Sequence, residues 1–443
     1  MKAGLLSVGY KNFECKVAQK QLRETEKQMC LHGYHTVTLP YVLTTKEEIK
    51  TAVEKLKEEG AGCVILQCGT FCGGEEILYL ASMIRKLPVI LWGFPEPEAG
   101  TFEKIAVNSM TGFLMASSIL QKLGIRFETL FGDVPEALPS LLIHLKVLSV
   151  IQKLRQSRLM CVGGKAPGFY FSAVDELKFQ RTFGTEICET SVEDLIRQCS
   201  VWKEEETGQA VDKIRNRWGS LSLERPEIEK AARMYLSLVR LKEEAGVDGF
   251  AVRCWPEMQT LYDFAPCAVL GMLGDEGIPC SCEGDIPGFM AMYTGYLLSG
   301  DSVFFADLVN RNENGSLKFW HCGCAPVSLA KDRGKTRLEC QPTLAQSVGA
   351  ASSFELKGGD AVVCQLKETK EGYFFWSAQA KAVRADRKTS GNQSDLMLRA
   401  PWNSVLDSII SNGIGQHFAV VYQHITKELE ILCRWLGVDF ECL

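Results

Sequence analysis

Two acidic residues and one histidine stand where a chain could use them for chemistry. Glu257 and Asp285 each follow an apolar run, and His417 follows a glycine-containing turn that ends in Gln416. Carboxylate oxygens are preferred ligands of hard divalent ions, and an added imidazole shifts the preference towards Mn²⁺ or a later transition metal. The three residues therefore predict a divalent metal site in which the two carboxylates also serve as acid and base.

Each of these residues also has a structural interpretation. Asp and Glu after strands are more often solvated loop residues or helix caps than metal ligands. Glu283 shares the loop of Asp285, and the sequence leaves open whether it orients the site or is exposed. His321 enters a tight loop of small residues, where a polar ring either lines a pocket or bonds a buried carbonyl.

Two glycine-rich loops follow predicted strands. The loop at 163–168 lacks both the Walker and the Rossmann spacing, which argues against a nucleotide site. The loop at 67–76, which contains Thr70 and Phe71, opens a helix, so its amides could bind an anion or a sugar hydroxyl. The alternative for this second loop is an ordinary strand-to-helix turn. No Gly-x-Ser-x-Gly elbow supports a hydrolase.

The elements that must position these residues alternate strand and helix through most of the chain. This rhythm predicts two Rossmann-like parallel-sheet α/β domains, at 1–155 and 156–302, and the second carries the acidic residues. From 303 to 443 the chain becomes strand-rich and ends in a helix, which predicts an antiparallel, barrel-like β domain. Ligands of open α/β sheets bind beyond the carboxyl ends of the strands, where Glu257 and Asp285 are expected.

Composition excludes several classes of protein. The 443 residues exceed one ordinary domain, and 46% hydrophobic with 23% charged residues is typical of a folded globular protein. The net charge of -5 comes without a basic block, so no nucleic-acid partner is expected. The 18 cysteines are scattered without a Cys-x-x-Cys pair, which favours reduced thiols over disulfides or structural zinc. With no apparent signal peptide or long apolar span, we expect a cytoplasmic protein that does not bind a membrane.

Four short motifs, taken in order, resemble the L-fucose isomerase and L-arabinose isomerase superfamily, most closely its fucose isomerase branch. They are Trp255-Pro256-Glu257, Cys282-Glu283-Gly284-Asp285, Phe305-Ala306-Asp307-Leu308, and Gln416-His417 with His424 seven residues later. The resemblance implies that Glu257, Asp285 and His417 bind Mn²⁺. It also implies a homo-oligomer, a hexamer or trimer, in which the loop at 69–76 reaches the site of a neighbouring subunit.

The function that follows is metal-dependent aldose–ketose isomerisation through a cis-enediol, with Glu257 and Asp285 catalytic. Substrate contacts are predicted for Thr70, Phe71, Glu283, His321 and Gln416. The sugar is expected to be a pentose, a 6-deoxyhexose or a C6-modified hexose such as sulfoquinovose, whose anion would face Lys11, Lys165 or Arg253. The alternatives are a non-catalytic sugar-binding protein on the same fold, and a metal-dependent aldolase or dehydratase.

Overall fold

The protein consists of two compact units, Met1–Gln152 and Lys153–Leu443. The structure is a computed structural model that describes residues 1–97, 105–342, 348–385 and 389–443. The further division of the second unit at residue 302 stays a prediction. All 18 cysteines are free thiols in this structure.

The first unit is built on a five-stranded parallel sheet with the order β2-β1-β3-β4-β5. Its strands are β1 (Lys2–Val8), β2 (His35–Thr38), β3 (Cys63–Cys68), β4 (Val89–Gly93) and β5 (Phe127–Phe131). Its helices are α1 (Cys15–Leu31), α2 (Lys46–Glu58), α3 (Gly74–Ile84), α4 (Ser109–Lys122) and α5 (Val134–Arg155), the last of which continues into the second unit. Strands β3 and β4 are buried along their whole length, because helices cover both faces of a parallel sheet.

Helix α5 is the one helix in the described part of the chain that is long and apolar enough to cross a membrane. The expectation that no segment reaches this apolar length was therefore wrong. Half of the apolar stretch is buried inside the structure, as in a core helix of a soluble protein, and Pro139 lies within the helix. By length and composition alone, one such helix is weak evidence for a membrane span.

The second unit opens with a four-stranded parallel sheet in the order β10-β9-β6-β7. Its strands are β6 (Arg158–Val162), β7 (Glu186–Thr190), β9 (Gly249–Val252) and β10 (Cys280–Cys282), while β8 (Ser220–Leu221) pairs elsewhere. Its helices are α6 (Glu176–Phe183), α7 (Val192–Cys199), α8 (Glu204–Arg215), α9 (Arg225–Ala245), α10 (Glu257–Tyr262), α11 (Cys267–Asp275) and α12 (Ile286–Ser299). Because β7 and β9 flank β6 on opposite sides, the strand order reverses there and opens a crevice at the carboxyl ends.

The last part of the chain forms a ten-stranded mixed sheet, six strands of which close into an antiparallel barrel. Its strands are β8 together with β11 (Phe304–Arg311), β12 (Leu317–His321), β13 (Arg337–Gln341), β14 (Val348–Glu355), β15 (Gly359–Glu368), β16 (Tyr373–Val383), β17 (Asn392–Leu398), β18 (His417–Val421) and β19 (Asp439–Cys442). The barrel runs β16-β15-β18-β11-β12-β17 and returns to β16. Helices α13 (Trp402–Ser411) and α14 (Thr426–Leu436) complete the unit. The predicted fold class is confirmed.

Helix α12 connects the parallel sheet to the barrel. Most of its residues are buried and apolar, and it contacts β9 and β10 as well as β15 and β18. A helix that is apolar all round belongs inside a protein. Its first turn therefore brings Asp285, which precedes the helix, against the start of β18 at His417.

Candidate active site

Three polar residues from distant parts of the chain form one hydrogen-bonded group. His417 Nδ1 lies 2.8 Å from Asp285 Oδ2, and His417 Nε2 lies 2.7 Å from Glu283 Oε2. The side chain of His417 is fully buried, and that of Asp285 is 2% exposed. Asp307, which faces His417 across the pairing of β11 and β18, places Oδ1 3.6 Å from Nε2. We call these four residues the His417 cluster.

The loop after β10 determines how the two carboxylates point. Asp285 caps α12, with Oδ1 accepting the Gly288 amide at 2.9 Å, which leaves Oδ2 for His417. Glu283 and Gly284 both adopt the left-handed conformation, with φ of 61° and 68°. A side chain at Gly284 would have its Cβ 2.0 Å from the Gly164 carbonyl oxygen, so this position requires glycine.

Aromatic rings enclose the imidazole. Phe169 stacks on His417 with centroids 5.7 Å apart, Phe171 meets it edge-on at 5.4 Å, and Phe305 lies at 4.7 Å. Phe169 and Phe171 come from the loop after β6, and Phe305 comes from β11. Such rings attract a cation and exclude water, which strengthens the interaction of His417 with the carboxylates.

The environment fixes the charge of the imidazole. Burial lowers the pKa of His417, but the hydrogen bonds to Asp285 and Glu283 outweigh it and raise the pKa to about 9. Burial raises the pKa of Glu283, and the hydrogen bond to His417 outweighs it, so this pKa is lowered. Burial raises the pKa of Asp307. At neutral pH both nitrogens of His417 therefore carry protons and donate to the two nearest carboxylates.

The cluster lies between two cavities. The outer cavity, of about 500 Å³, is lined by Asp285 together with Tyr170, Phe171, Gln365 and Lys367, among others. The inner cavity, of about 30 Å³, is lined by Glu283, Asp307, Trp255, Trp320 and His321, among others. A volume of 300–1,000 Å³ is typical of small-molecule sites, whereas the inner cavity has room for a water molecule or a single ion.

His321 presents a hydrogen-bond donor at the inner cavity. Its Nδ1 lies 2.9 Å from the Cys322 amide nitrogen and 3.2 Å from the Cys322 thiol, so Nε2 is the nitrogen left to donate. Within the described residues, the buried Nε2 has no hydrogen-bond partner. This arrangement fits the pocket-lining interpretation of His321 better than a structural bond to a carbonyl.

Glu257 is placed differently from the prediction. It begins helix α10 rather than standing in a loop, and its Oε1 pairs with Arg253 at 2.8 Å. Its Oε2 is buried and has no partner among the described residues. Glu283, not Glu257, joins Asp285 on the imidazole. No group of three or more His, Cys, Asp or Glu residues in the described parts of the chain is arranged to hold a metal ion as it stands, so the predicted metal set stays a prediction.

The remaining predicted residues, Thr70, Phe71 and Gln416, form contacts with residues near them in the structure. Thr70 and Phe71 belong to the first unit, where Thr70 Oγ1 accepts the Tyr10 amide and Phe71 packs against Tyr10 and Phe13. The Gln416 carbonyl accepts the Leu308 amide. Their predicted roles in substrate binding are not tested by these contacts.

Sequence reasoning missed the aromatic residues around His417. It considered the loop at 163–168 only as a nucleotide motif, although Phe169 and Phe171 follow directly at the carboxyl end of β6. The strand-end rule that selected Asp285 applies equally to this loop. Asp307 entered only as part of a family motif, because nothing in its local sequence indicates that it faces His417.

Comparison with known proteins supports an isomerase. No family model matches the chain. Sulfoquinovose isomerase from Priestia megaterium is 27% identical over 437 residues, covering 98% of this chain and 97% of that protein. The enzyme of the same name from Alkalicoccus urumqiensis is 27% identical over 97% of this chain and 96% of its own length, and one from a Clostridium species is 26% identical over 98% of each.

The match to a solved arabinose-binding periplasmic protein from a Shewanella species has a TM-score of 0.17 at 14% identity. It covers 57% of this chain and 72% of that one, and at this TM-score it is not evidence of a shared fold. The resemblance to the fucose and arabinose isomerase superfamily stays a prediction. The full-length similarities confirm the predicted enzyme class, an aldose–ketose sugar isomerase, which is an intramolecular oxidoreductase.

Proposed function

We propose that the protein converts a sulfoquinovose-like aldose, a hexose with an anionic group on C6, into the corresponding ketose through a cis-enediol. The substrate class is supported by the names of the full-length relatives. The observation that carries the proposal is the position of Asp285, a buried carboxylate that lines a sugar-sized cavity and bonds to a protonated imidazole.

Asp285 is proposed as the base. Its carboxylate removes the proton from C2 of the open-chain aldose, the C–H electron pair forms the C1–C2 double bond, and the electron pair of the C1 carbonyl moves onto O1. The proton on O2 passes to O1, the carbonyl forms at C2, and the same carboxyl group returns its proton to C1. The His417 imidazolium holds Asp285 in place by donating Nδ1–H to Oδ2.

Exclusion of water is a second requirement, since an enediol exposed to water loses protons to solvent. Phe171 lines the outer cavity and also contacts His417, so an apolar wall adjoins the base. Phe169 and Phe305 close the other sides of the imidazole. Electrostatic interactions in such a dry site are stronger than in water.

A divalent ion fits the chemistry of the donors. Glu257 has a buried oxygen without a partner in the described structure, and Asp285 and His417 add a carboxylate and an imidazole. These three residues would hold Mn²⁺ or another divalent cation, and His417 would give up one of its two protons and the carboxylate contact on that nitrogen to do so. The ion would supply positive charge for the developing enediolate oxygens.

Isotope exchange tests the isomerase chemistry. The protein loaded with Mn²⁺ and given sulfoquinovose in D₂O is expected to form the ketose, measured by nuclear magnetic resonance. Deuterium at C1 of the product reports how far the proton held on Asp285 exchanges with solvent before its return. A panel of neutral pentoses and 6-deoxyhexoses shows whether the anion is required. If no aldose in the panel yields a ketose, the proposed reaction is wrong.

Chelation tests the metal separately. Exhaustive treatment with a chelator is expected to abolish ketose formation, and Mn²⁺ to restore it. Glu257→Gln is expected to lower Mn²⁺ affinity, measured by calorimetry, while an exposed exchange such as Glu54→Gln leaves it unchanged. Full activity after metal removal would contradict the metal requirement but not the isomerisation.

Two further features belong to the proposal. We propose a homo-oligomer in which the loop at 69–76, with Thr70 and Phe71, contributes to the site of a neighbouring subunit, and a cytoplasmic location. Sedimentation of the purified protein tests the assembly. A stable monomer with full activity would contradict the shared site.

A further inference from the structure

We propose that Lys367 is the specificity residue that binds the anionic C6 group of the substrate in the outer cavity. This inference rests on the proposed function, because it assigns one end of the same sugar to a particular wall of that cavity. Lys367 lies on β15, whereas the sequence had offered Lys11, Lys165 or Arg253 for this role.

The charges that line the outer cavity leave Lys367 without an acidic partner. The other charged lining residues are Lys178, Lys370, Asp175, Asp285 and Glu368. Lys178 is neutralised by Glu368 at 2.6 Å, and Asp285 is bonded to the His417 imidazolium.

The ammonium group of Lys367 donates to the Asn412 carbonyl oxygen. Among the described residues it forms no ion pair. The side chain is half-buried, whereas Lys370 is exposed. An ammonium group that is partly removed from water and bonded only to a neutral carbonyl is a suitable partner for an anion.

The register of β15 sets the distance between this charge and the proposed base. Gln365 bonds through its side chain to the His417 carbonyl and to the Gly415 amide, so it stands next to the His417 cluster. Residues i and i+2 of a strand share one face, which places Lys367 about 7 Å further along the same wall. A hexose with C1 and C2 near Asp285 can thus extend its C6 end towards Lys367.

The earlier candidates are less suitable. Arg253 pairs with Glu257 at 2.8 Å and is not a lining residue of the outer cavity. Lys165 lies over the ring of Tyr170, which is itself exposed to water. Lys11 belongs to the first unit. Of the four cations, Lys367 alone combines partial burial, a place on the cavity wall and no acidic partner in the described structure.

Steady-state kinetics on matched sugars tests the assignment. Sulfoquinovose is compared with 6-deoxyglucose, which has the same ring but no sulfonate. Lys367→Met is expected to raise KM for sulfoquinovose roughly 10- to 100-fold, the usual value of a hydrogen bond to a charged group, with little change in kcat. Turnover of 6-deoxyglucose should not fall, and Lys367→Arg should restore most of the affinity.

Controls separate this proposal from the proposed function. Lys331→Met removes an exposed lysine that pairs with Glu355. This variant should leave KM and kcat unchanged for both sugars. Calorimetric binding of sulfoquinovose to wild type and Lys367→Met needs no turnover, so it tests the anion site even if the reaction proves different. Lys367→Gln is a second neutral variant should Lys367→Met fail to fold. Unchanged affinity for sulfoquinovose in a folded neutral variant overturns the assignment of Lys367.

Discussion

The two parallel sheets of this protein share one architecture but use their carboxyl edges differently. In the first unit, two hydroxyl groups at this edge bond to the nearby backbone, whereas the buried Ser7 Oγ near the end of β1 has no partner among the described residues. Thr70 Oγ1 accepts the Tyr10 amide and donates to the Phe71 carbonyl, and Ser109 accepts the Phe94 amide. In the second unit, the edge carries buried carboxylates whose partner is His417, more than 130 positions further along the chain.

The difference indicates which edge is suited to the proposed chemistry. A hydroxyl is neutral and can make its hydrogen bonds within its own loop. It then stabilises the turn and has no free donor or acceptor for a ligand. A buried carboxylate needs a positive partner, because burying a charge alone is costly. The barrel of the second unit supplies that partner at the start of β18. The proposed reactive site thus lies where carboxylates from one sheet meet the imidazole from another.

The largest expected effect is that of Asp285→Asn. The amide keeps an oxygen for the Gly288 amide but removes the base, so kcat should fall by about 10²- to 10⁴-fold. Asp275→Asn is the matched control, since Asp275 is a largely buried carboxylate that pairs with Arg217 and is not part of the cluster. The rate of ketose formation is measured for wild type and both variants at equal concentrations of folded protein. If folded Asp285→Asn has a normal kcat, Asp285 is not the base, and the carboxyl edge of the second sheet does not differ from that of the first in the proposed way.

The next effect concerns pH. His417 has a pKa of about 9 in the folded protein against 6.5 for the ordinary group, so its contribution to stability is complete below pH 6.5 and is lost as the pH rises through 9. A shift of this size corresponds to about 3 kcal/mol. Urea unfolding between pH 6 and 10 should show the loss, and His417→Gln should flatten it. If wild type and His417→Gln lose the same free energy of unfolding between pH 6 and 10, the assigned charge of His417 is wrong.

Glu283→Gln should have a smaller effect on the loss of stability at alkaline pH. The imidazole then keeps Asp285 but loses one charged acceptor, so the pKa of His417 should fall by about one unit. The alkaline loss of stability should move to lower pH by a similar amount, and the ring protons of His417 report the pKa directly by nuclear magnetic resonance. If the pKa stays at its wild-type value, Glu283 does not support the charge on His417.

The smallest effect is expected from Thr70→Val in the first unit. The change removes the acceptor of the Tyr10 amide, so the free energy of unfolding should fall by about 1–3 kcal/mol. Thermal unfolding measures this loss, with Thr70→Ser as the variant that keeps the hydroxyl. A fall of kcat in fully folded Thr70→Val oligomers would support the proposed contribution of the loop at 69–76 to a neighbouring site, whereas an unchanged kcat would leave Thr70 with a structural role only.

Particular residues show how far the sequence could predict the site. Asp285 and His417 were selected by strand-end and glycine-turn patterns, and the structure brings them within hydrogen-bonding distance. The same strand-end pattern selected Glu257, yet Glu283 occupies the second nitrogen of the imidazole. The reason is the left-handed turn at Glu283 and Gly284, whose direction depends on the neighbouring Gly164 carbonyl.

The sequence by itself determined the order of strands and helices, the parallel and antiparallel character of the sheets, and the acids at the strand ends. These features depend on periodicity and turn residues within a few positions of one another. Only the tertiary structure decided which acid meets His417, the charge of that imidazole and the walls of the two cavities. Asp285 and His417 are 132 positions apart, and their contact depends on the packing of α12 against the barrel, which no local pattern encodes.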